Sequence, residues 1–208
     1  MISRRWPLAA CALTVLAALA GGCSKDKGTA PTSDLDAISI SPSNVVLSTA
    51  GLRYSSDVQA IFSSRCALGG CHASASRAGG LALASYDGVA AGGSLSGAVV
   101  IAGSPGTSEL IRRVETTNTG ERMPLGGPEL PAGEKEILRR WVERALVQFR
   151  ATGHAGDDTV SVSPTWTATA GGRIASNGLF TADTDEANVI VTASARGTDA
   201  STNVTIGP

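Results

Sequence analysis

Apolar residues are spaced in three different ways along this chain, and each spacing predicts a different kind of segment. From Leu8 to Ala20 they form a run interrupted only by Thr14. Further on they recur at helical intervals in two places. Val58, Ile61 and Phe62 fall at i, i+3 and i+4, with Cys66 one turn later, and Ile137, Leu138, Trp141, Val142 and Ala145 make a longer stripe. Ser55-Ser56-Asp57 offers the first helix an N-cap. Pro131-Ala132-Gly133-Glu134 puts proline and acid at the start of the second. From Val147 onward the spacing is two: Val147, Phe149 and Ala151, then Val160 and Val162, then Val189, Val191 and Ala193, then Val204 and Ile206. Alternation at short intervals, with turn residues between, predicts a small antiparallel sandwich.

The first apolar run is too short for a membrane span, which needs ~20 residues. Arg4 and Arg5 precede it and Leu19-Ala20-Gly21-Gly22-Cys23 closes it, the layout of a secretory leader. The small residues before Cys23 resemble the bacterial lipobox, in which the cysteine after the cut is acylated. Residues 1–22 are therefore expected to be a lipoprotein signal peptide and Cys23 the lipidation site. Residues 23–35, polar and rich in Ser, Thr, Lys and Asp, read as a flexible tether. Ser24 is not the aspartate associated with inner-membrane retention, so the likeness implies an exported, outer-membrane lipoprotein on the periplasmic or surface side.

Composition narrows the function. Aromatics are only 4% and there are 25 glycines among 208 residues, so Ala, Val, Leu and Ile must build the core. Net charge is −1 and becomes −3 without Arg4 and Arg5, which gives no basic excess for nucleic acid. Residues 52–146 hold ten basic and nine acidic side chains, too even a balance for a strong steering field. The chain has two histidines and no Ser/His/Asp set, phosphate loop or paired acid motif, so hydrolytic chemistry has little to use. Asp157-Asp158 and Asp183, Asp185 and Glu186 read either as a calcium site or as solvated acidic turns.

Cys11 lies in the leader and Cys23 takes lipid, leaving Cys66 and Cys71. Residues 66–72 read Cys-Ala-Leu-Gly-Gly-Cys-His. Two thiols and a following histidine are what covalent haem attachment needs: two thioethers and one iron ligand. The usual spacer is two residues; here it is four, and Gly69-Gly70 gives the backbone freedom to loop out the excess. The same residues are compatible with a Cys66–Cys71 disulfide, with zinc shared by His72 and His154, or with an exposed histidine of no role. Met123, the only methionine after the initiator, lies 51 residues beyond His72 in Gly120-Glu121-Arg122-Met123-Pro124. A thioether opposite histidine makes a low-spin iron pair of raised potential. His154 is the other candidate for that position.

Val58-Gln-Ala-Ile-Phe62, Cys66 to His72, Gly79-Gly-Leu-Ala-Leu83, Gly103-Ser-Pro105, Ser108-Glu-Leu110, Arg122-Met-Pro124 and Ile137 to Val142 together resemble the Planctomycete-type cytochrome c domain, over about residues 53–146. The resemblance implies one covalent haem c, with Cys71 and His72 matching the family's second cysteine and histidine. It makes Arg122-Met123-Pro124 the region of the distal ligand, and Cys66 the other thioether despite the longer spacer. Thr165-Trp-Thr-Ala-Thr169, Gly172 to Ile174 and Asn177 to Ala182 resemble the bacterial group 2 immunoglobulin-like domain, and Ile38 to Gly51 resembles its opening strands. Removing residues 52–146 joins Gly51 to Val147-Gln-Phe-Arg-Ala-Thr-Gly153, the strand expected next.

The expected organisation is thus multidomain, an all-α cytochrome c-like domain plus an all-β immunoglobulin-like sandwich. Residues 36–51 hold the first strands of the sandwich, 52–146 the inserted haem domain, and 147–208 the rest of the sandwich. The expected role is a membrane-tethered single-haem electron carrier with an unidentified redox partner protein. It is not an enzyme, because His72 and Met123 together leave no open iron position of the kind a peroxidase needs. The contrasting expectation is a structural or adhesive surface lipoprotein without haem, stapled by a Cys66–Cys71 disulfide.

Overall fold

A computed structural model describes residues 34–94 and 98–207. The leader, Cys23 and all of the tether before Asp34 lie outside the described residues. Strands β1 (Ala37–Ser41) and β2 (Val45–Ser48) come first, and eight more follow residue 145: β3 (Leu146–Gln148), β4 (Arg150–Ala155), β5 (Asp158–Val160), β6 (Thr165–Ala168), β7 (Gly172–Ile174), β8 (Leu179–Ala182), β9 (Ala187–Ala195) and β10 (Thr198–Gly207). They form three sheets, ordered β1-β4-β5, β2-β10-β9-β6 and β3-β8-β7. The two early strands join late ones. Ile38 faces Gly153 in the antiparallel β1–β4 pair, and Val45 faces Val204 where β2 runs parallel to β10.

The period-two pattern does what it predicts in β9 and β10. Val189, Val191, Ala193, Val204 and Ile206 are buried while Ile190 is exposed, because successive side chains of a strand face opposite ways. Leu47, Val147, Phe149 and Phe180 complete that core. His154, the other candidate iron ligand, lies on β4, where its Nε2 is 2.9 Å from Ser39 Oγ across the β1 pairing.

The expectation of an all-α domain over residues 52–146 is overturned. The chain is mostly β, with ten strands among the described residues and few, short helices. Between β2 and β3 these are α1 (Gln59–Ile61), flanked by π turns at Tyr54–Val58 and Phe62–Cys66, then α2 (Tyr86–Ala91), α3 (Glu109–Glu115) and α4 (Ala132–Arg144). Only α4 reaches 13 residues. The physical reason is composition. Residues 67–108 and 116–131 are punctuated by glycine, serine and proline, and each glycine or proline costs a helix interior about 1 or about 3 kcal/mol. Short helices survive only where an apolar stripe packs. The first helical stretch also starts differently from expectation: Arg53, not Ser55 or Ser56, is its N-cap. Asp57 Oδ2 reaches back 2.8 Å to the Arg53 N–H, satisfying an orphan donor, and Ser55 N–H donates to Asp183 Oδ1.

Nor does the helical segment own a separate core. Leu138, Trp141 and Val142 of α4 are fully buried in a cluster that also takes in Leu146 of β3, Ala175, and Leu179 of β8. Trp141 sits at the seam. Its ring packs near Tyr54 and Phe62, and its indole N–H donates to Thr181 Oγ1 at 2.9 Å. The buried Tyr86 hydroxyl donates to the Leu179 carbonyl at 3.0 Å, and Asn177 Nδ2 to the Ala90 carbonyl at 2.7 Å. Arg53 pairs with Asp185 and Arg173 with Asp183, so these two acidic turn residues serve as ion-pair partners rather than as a calcium site.

Candidate functional site

Cys66 ends the first helical stretch, where Ala67 leaves helical geometry. The four residues between the cysteines then fold back on themselves. Cys71 N–H donates to the Leu68 carbonyl at 3.0 Å and His72 N–H to the Cys66 carbonyl at 3.1 Å. Gly70 takes φ +80° within this loop, a value that glycine adopts without strain. The backbones of residues 66 and 72 are thereby tied together across the long spacer.

The ring of His72 is oriented by a backbone group. Its Nδ1 lies 3.3 Å from the Leu81 carbonyl oxygen. A carbonyl only accepts, so Nδ1 is the donor in this contact and Nε2 is the ring nitrogen left to face a metal. Leu81 is held there by a close-packed turn. Ser94 donates to the Gly79 carbonyl through both its N–H and its hydroxyl, and Leu83 N–H donates to the His72 carbonyl. Gly80 has φ +76°, and a Cβ there would stand 2.5 Å from Ser94 Oγ.

Helix α3 builds the facing elements. Leu110, Ile111 and Val114 are buried, and Met123 N–H donates to the Arg113 carbonyl at 2.8 Å. Arg113 Nη1 in turn donates to the Glu121 carbonyl, strapping the methionine loop to the helix end. Arg112 and Arg113 both bond Glu109; Arg112 above all, then Arg113, holds its carboxyl down at about 2.

These elements enclose a cavity of ≈ 240 Å³ lined by Cys66, His72 and Met123, by apolar Leu81, Leu83, Val99, Leu110 and Val114, and by Glu109 and Arg113. Three of the four residues expected to hold a cofactor therefore share one cavity. Cys71, the fourth, is exposed and outside its lining, whereas Cys66 is buried. Burial, more than the nearby Glu134 and Cys71, pushes the Cys66 thiol up to about 11. Both cysteines are free thiols. Among the described residues no three His, Cys, Asp or Glu side chains gather as a metal site, which leaves the zinc reading without a ligand set. A single histidine paired with a methionine falls outside such a group.

Sequence reasoning did not find the Leu81 carbonyl, nor Glu109 and Arg113 as cavity lining. A backbone acceptor has no sequence signal. The Glu109, Arg112, Arg113 spacing of three and four could have shown the acid–base cluster on one helix face.

The profile of the Planctomycete cytochrome C family matches residues 69–125. This stretch is cytochrome c-like, and it contains Cys71, His72 and Met123 but not Cys66. The chain matches no curated protein and no solved structure.

Proposed function

We propose that the chain binds one haem c between His72 and Met123 and carries electrons. One observation supports this above the rest: within the cytochrome c-like stretch, an oriented histidine and the lone internal methionine line the same largely apolar cavity. The residues suit the group. His72 offers Nε2, Met123 a thioether sulfur, and Cys66 and Cys71 the two thiols for attachment, one from within the cavity and one from its outside. When bound, haem supplies a reversible one-electron iron couple.

The chain's own groups do the rest. The Leu81 carbonyl fixes the His72 ring; the Met123 bond to Arg113 fixes the methionine loop; the aliphatic walls exclude water and favour the less charged, reduced state. At ≈ 240 Å³ the cavity lies below the ~300–1,000 Å³ of pockets that enclose small molecules, which suits a large plate held in part. Electron exchange needs such access. Two protein ligands on iron leave no position for substrate, so the reading is a carrier rather than an enzyme.

We further propose that the strands of residues 36–51 and 147–208 make one immunoglobulin-like sandwich interrupted by residues 52–146, and that Cys23 tethers the protein to the outer membrane. The sandwich then serves as a spacer for an unidentified redox partner protein. The direct test is a pyridine haemochrome spectrum of the protein made with a cytochrome c maturation system.

A further inference from the structure

Two of the three sheets end on one cleft. Strand β6 closes the order β2-β10-β9-β6, and β7 closes β3-β8-β7. Residues 166–168 of β6, the whole of β7 and residues 85–87 at the start of α2 line a cleft of ≈ 410 Å³. It shares no lining residue with the cavity of His72 and Met123. Consecutive residues of a strand line one cleft together only where the strand presents its edge, because their side chains alternate between faces.

The hydrogen-bond phase shows what these edges offer. Thr169 N–H donates to the Ile190 carbonyl at 3.1 Å. In the antiparallel register the bonded pairs are then Thr167 with Thr192 and Thr165 with Ser194. The N–H and C=O of Trp166 and Ala168 therefore point away from β9. On β7, Asp183 N–H donates to the Gly171 carbonyl and Ala175 N–H to the Leu179 carbonyl, both at 2.9 Å. Arg173 and Thr181 are thus the bonded pair, and the main-chain groups of Gly172 and Ile174 turn outward. On that outer side none of the four has a main-chain partner among the described residues.

Natural edge strands are blunted by charge, proline or a bulge. Strand β6, Thr-Trp-Thr-Ala, carries neither charge nor proline, and its register on β9 runs unbroken. Trp166, Ala168 and Ile174 pack against the sandwich core and are only partly buried, while Thr165 and Thr167 are exposed. A strand laid on this edge meets apolar neighbours on one face and hydroxyls on the other. Arg173 is paired with Asp183. Asp87, exposed in the cleft wall, has no ion pair among the described residues.

We infer that the β6 edge is a docking site for an extended segment of a partner polypeptide, which adds one more strand to β2-β10-β9-β6. The outward N–H and C=O groups of Trp166 and Ala168 bond its main chain. The segment alternates apolar and polar residues, turns the apolar ones towards Trp166 and Ile174, and brings a basic side chain to Asp87. Main-chain bonds give the affinity and the alternate side chains the selectivity. The inference uses no property of the haem site and stands or falls apart from the haem reading.

The experiment uses the full chain, labelled with ¹⁵N, and a synthetic peptide alternating threonine and valine with a terminal lysine. Amide hydrogen exchange is read residue by residue by NMR, with any haem kept ferrous. With peptide, exchange at Trp166 and Ala168 is expected to slow about tenfold, while Thr165 and Thr167, already bonded to β9, stay as they were. The same peptide methylated on its pairing amide nitrogens is expected to give no protection. Ala168→Pro removes an outward N–H that no bond of the fold uses, and is expected to abolish the effect at Trp166 with circular dichroism unchanged. If that variant does not fold, the methylated peptide decides. Exchange at Trp166 and Ala168 that ignores the peptide, or slows equally with the methylated one, overturns the site. Protection that appears on concentrating the protein alone, with a doubled mass in solution, gives the edge to a second copy and overturns the partner strand.

Discussion

His72 Nδ1 faces the Leu81 carbonyl oxygen at 3.3 Å, so a main-chain atom nine residues away decides which ring nitrogen is free for chemistry. His72→Ala removes the Nε2 donor and leaves the Leu81 carbonyl without its partner. The expected outcome is a chain whose haem content, by absorbance per polypeptide, falls at least tenfold. Undiminished haem of unchanged low-spin spectrum would place the ligand elsewhere.

Met123 has a different signature. Met123→Ala removes the thioether that would hold the iron while the apolar walls remain. The reduction potential is expected to fall, since a methionine ligand raises it, and the reduced protein is expected to bind carbon monoxide where the wild type does not. Identical potential and no carbon monoxide binding in the variant would remove Met123 from the iron.

Trp141 tests whether the helical segment and the sandwich stand together. Trp141→Phe keeps the ring contacts but leaves Thr181 Oγ1 without its indole donor, at a cost of about 1 kcal/mol. Trp141→Ala opens the shared core, at about 3–5 kcal/mol. Urea unfolding is expected to be one transition by haem absorbance and by far-ultraviolet circular dichroism alike. Two separated transitions would mean independent units.

The carboxyl of Glu109 gives a pH dependence with a definite sign. Its folded value is held at about 2, against an ordinary 4.5, by Arg112 first and Arg113 next. The stabilisation is therefore complete above pH 4.5 and is lost as pH falls from there towards 2. Allowing for solvent screening it is worth about 1 kcal/mol. Glu109→Gln is expected to be less stable than wild type by that amount near neutrality, with the gap closing on acidification. A gap that is constant in pH would exclude the ion pair as its source.

The two cysteines differ in the chain made without haem. Burial raises the Cys66 thiol to about 11, so little thiolate exists at neutral pH, while Cys71 is exposed. Iodoacetamide is expected to modify Cys71 at least tenfold faster, by peptide mass spectrometry. Equal rates would show that Cys66 is open to solvent.

Much of this was legible in the residues, and the failures have physical causes. The stripe from Ile137 to Ala145 reads as a helix because its period is unbroken, and α4 buries Leu138, Trp141 and Val142 as that spacing requires. The period-two runs of β9 and β10 were equally plain. The all-α expectation failed because two good stripes were extended over an intervening glycine- and proline-rich stretch that turns instead of coiling. Gly153, in the strand expected after Gly51, lies within β4, where a Cβ would come within 2.6 Å of Leu35 and Val162. Of the site, side-chain donors with chemical signatures were visible. The Leu81 carbonyl was not, because its place beside His72 arises only from packing.

The central claim is covalent haem, and the pyridine haemochrome spectrum after acid–acetone extraction tests it most directly. The account predicts a c-type spectrum that stays with the polypeptide, and one lying between b- and c-type in Cys66→Ala, where a single thioether remains. Protein from a competent maturation system that carries no extraction-resistant haem would contradict the account, and would leave a structural or adhesive role as the better description.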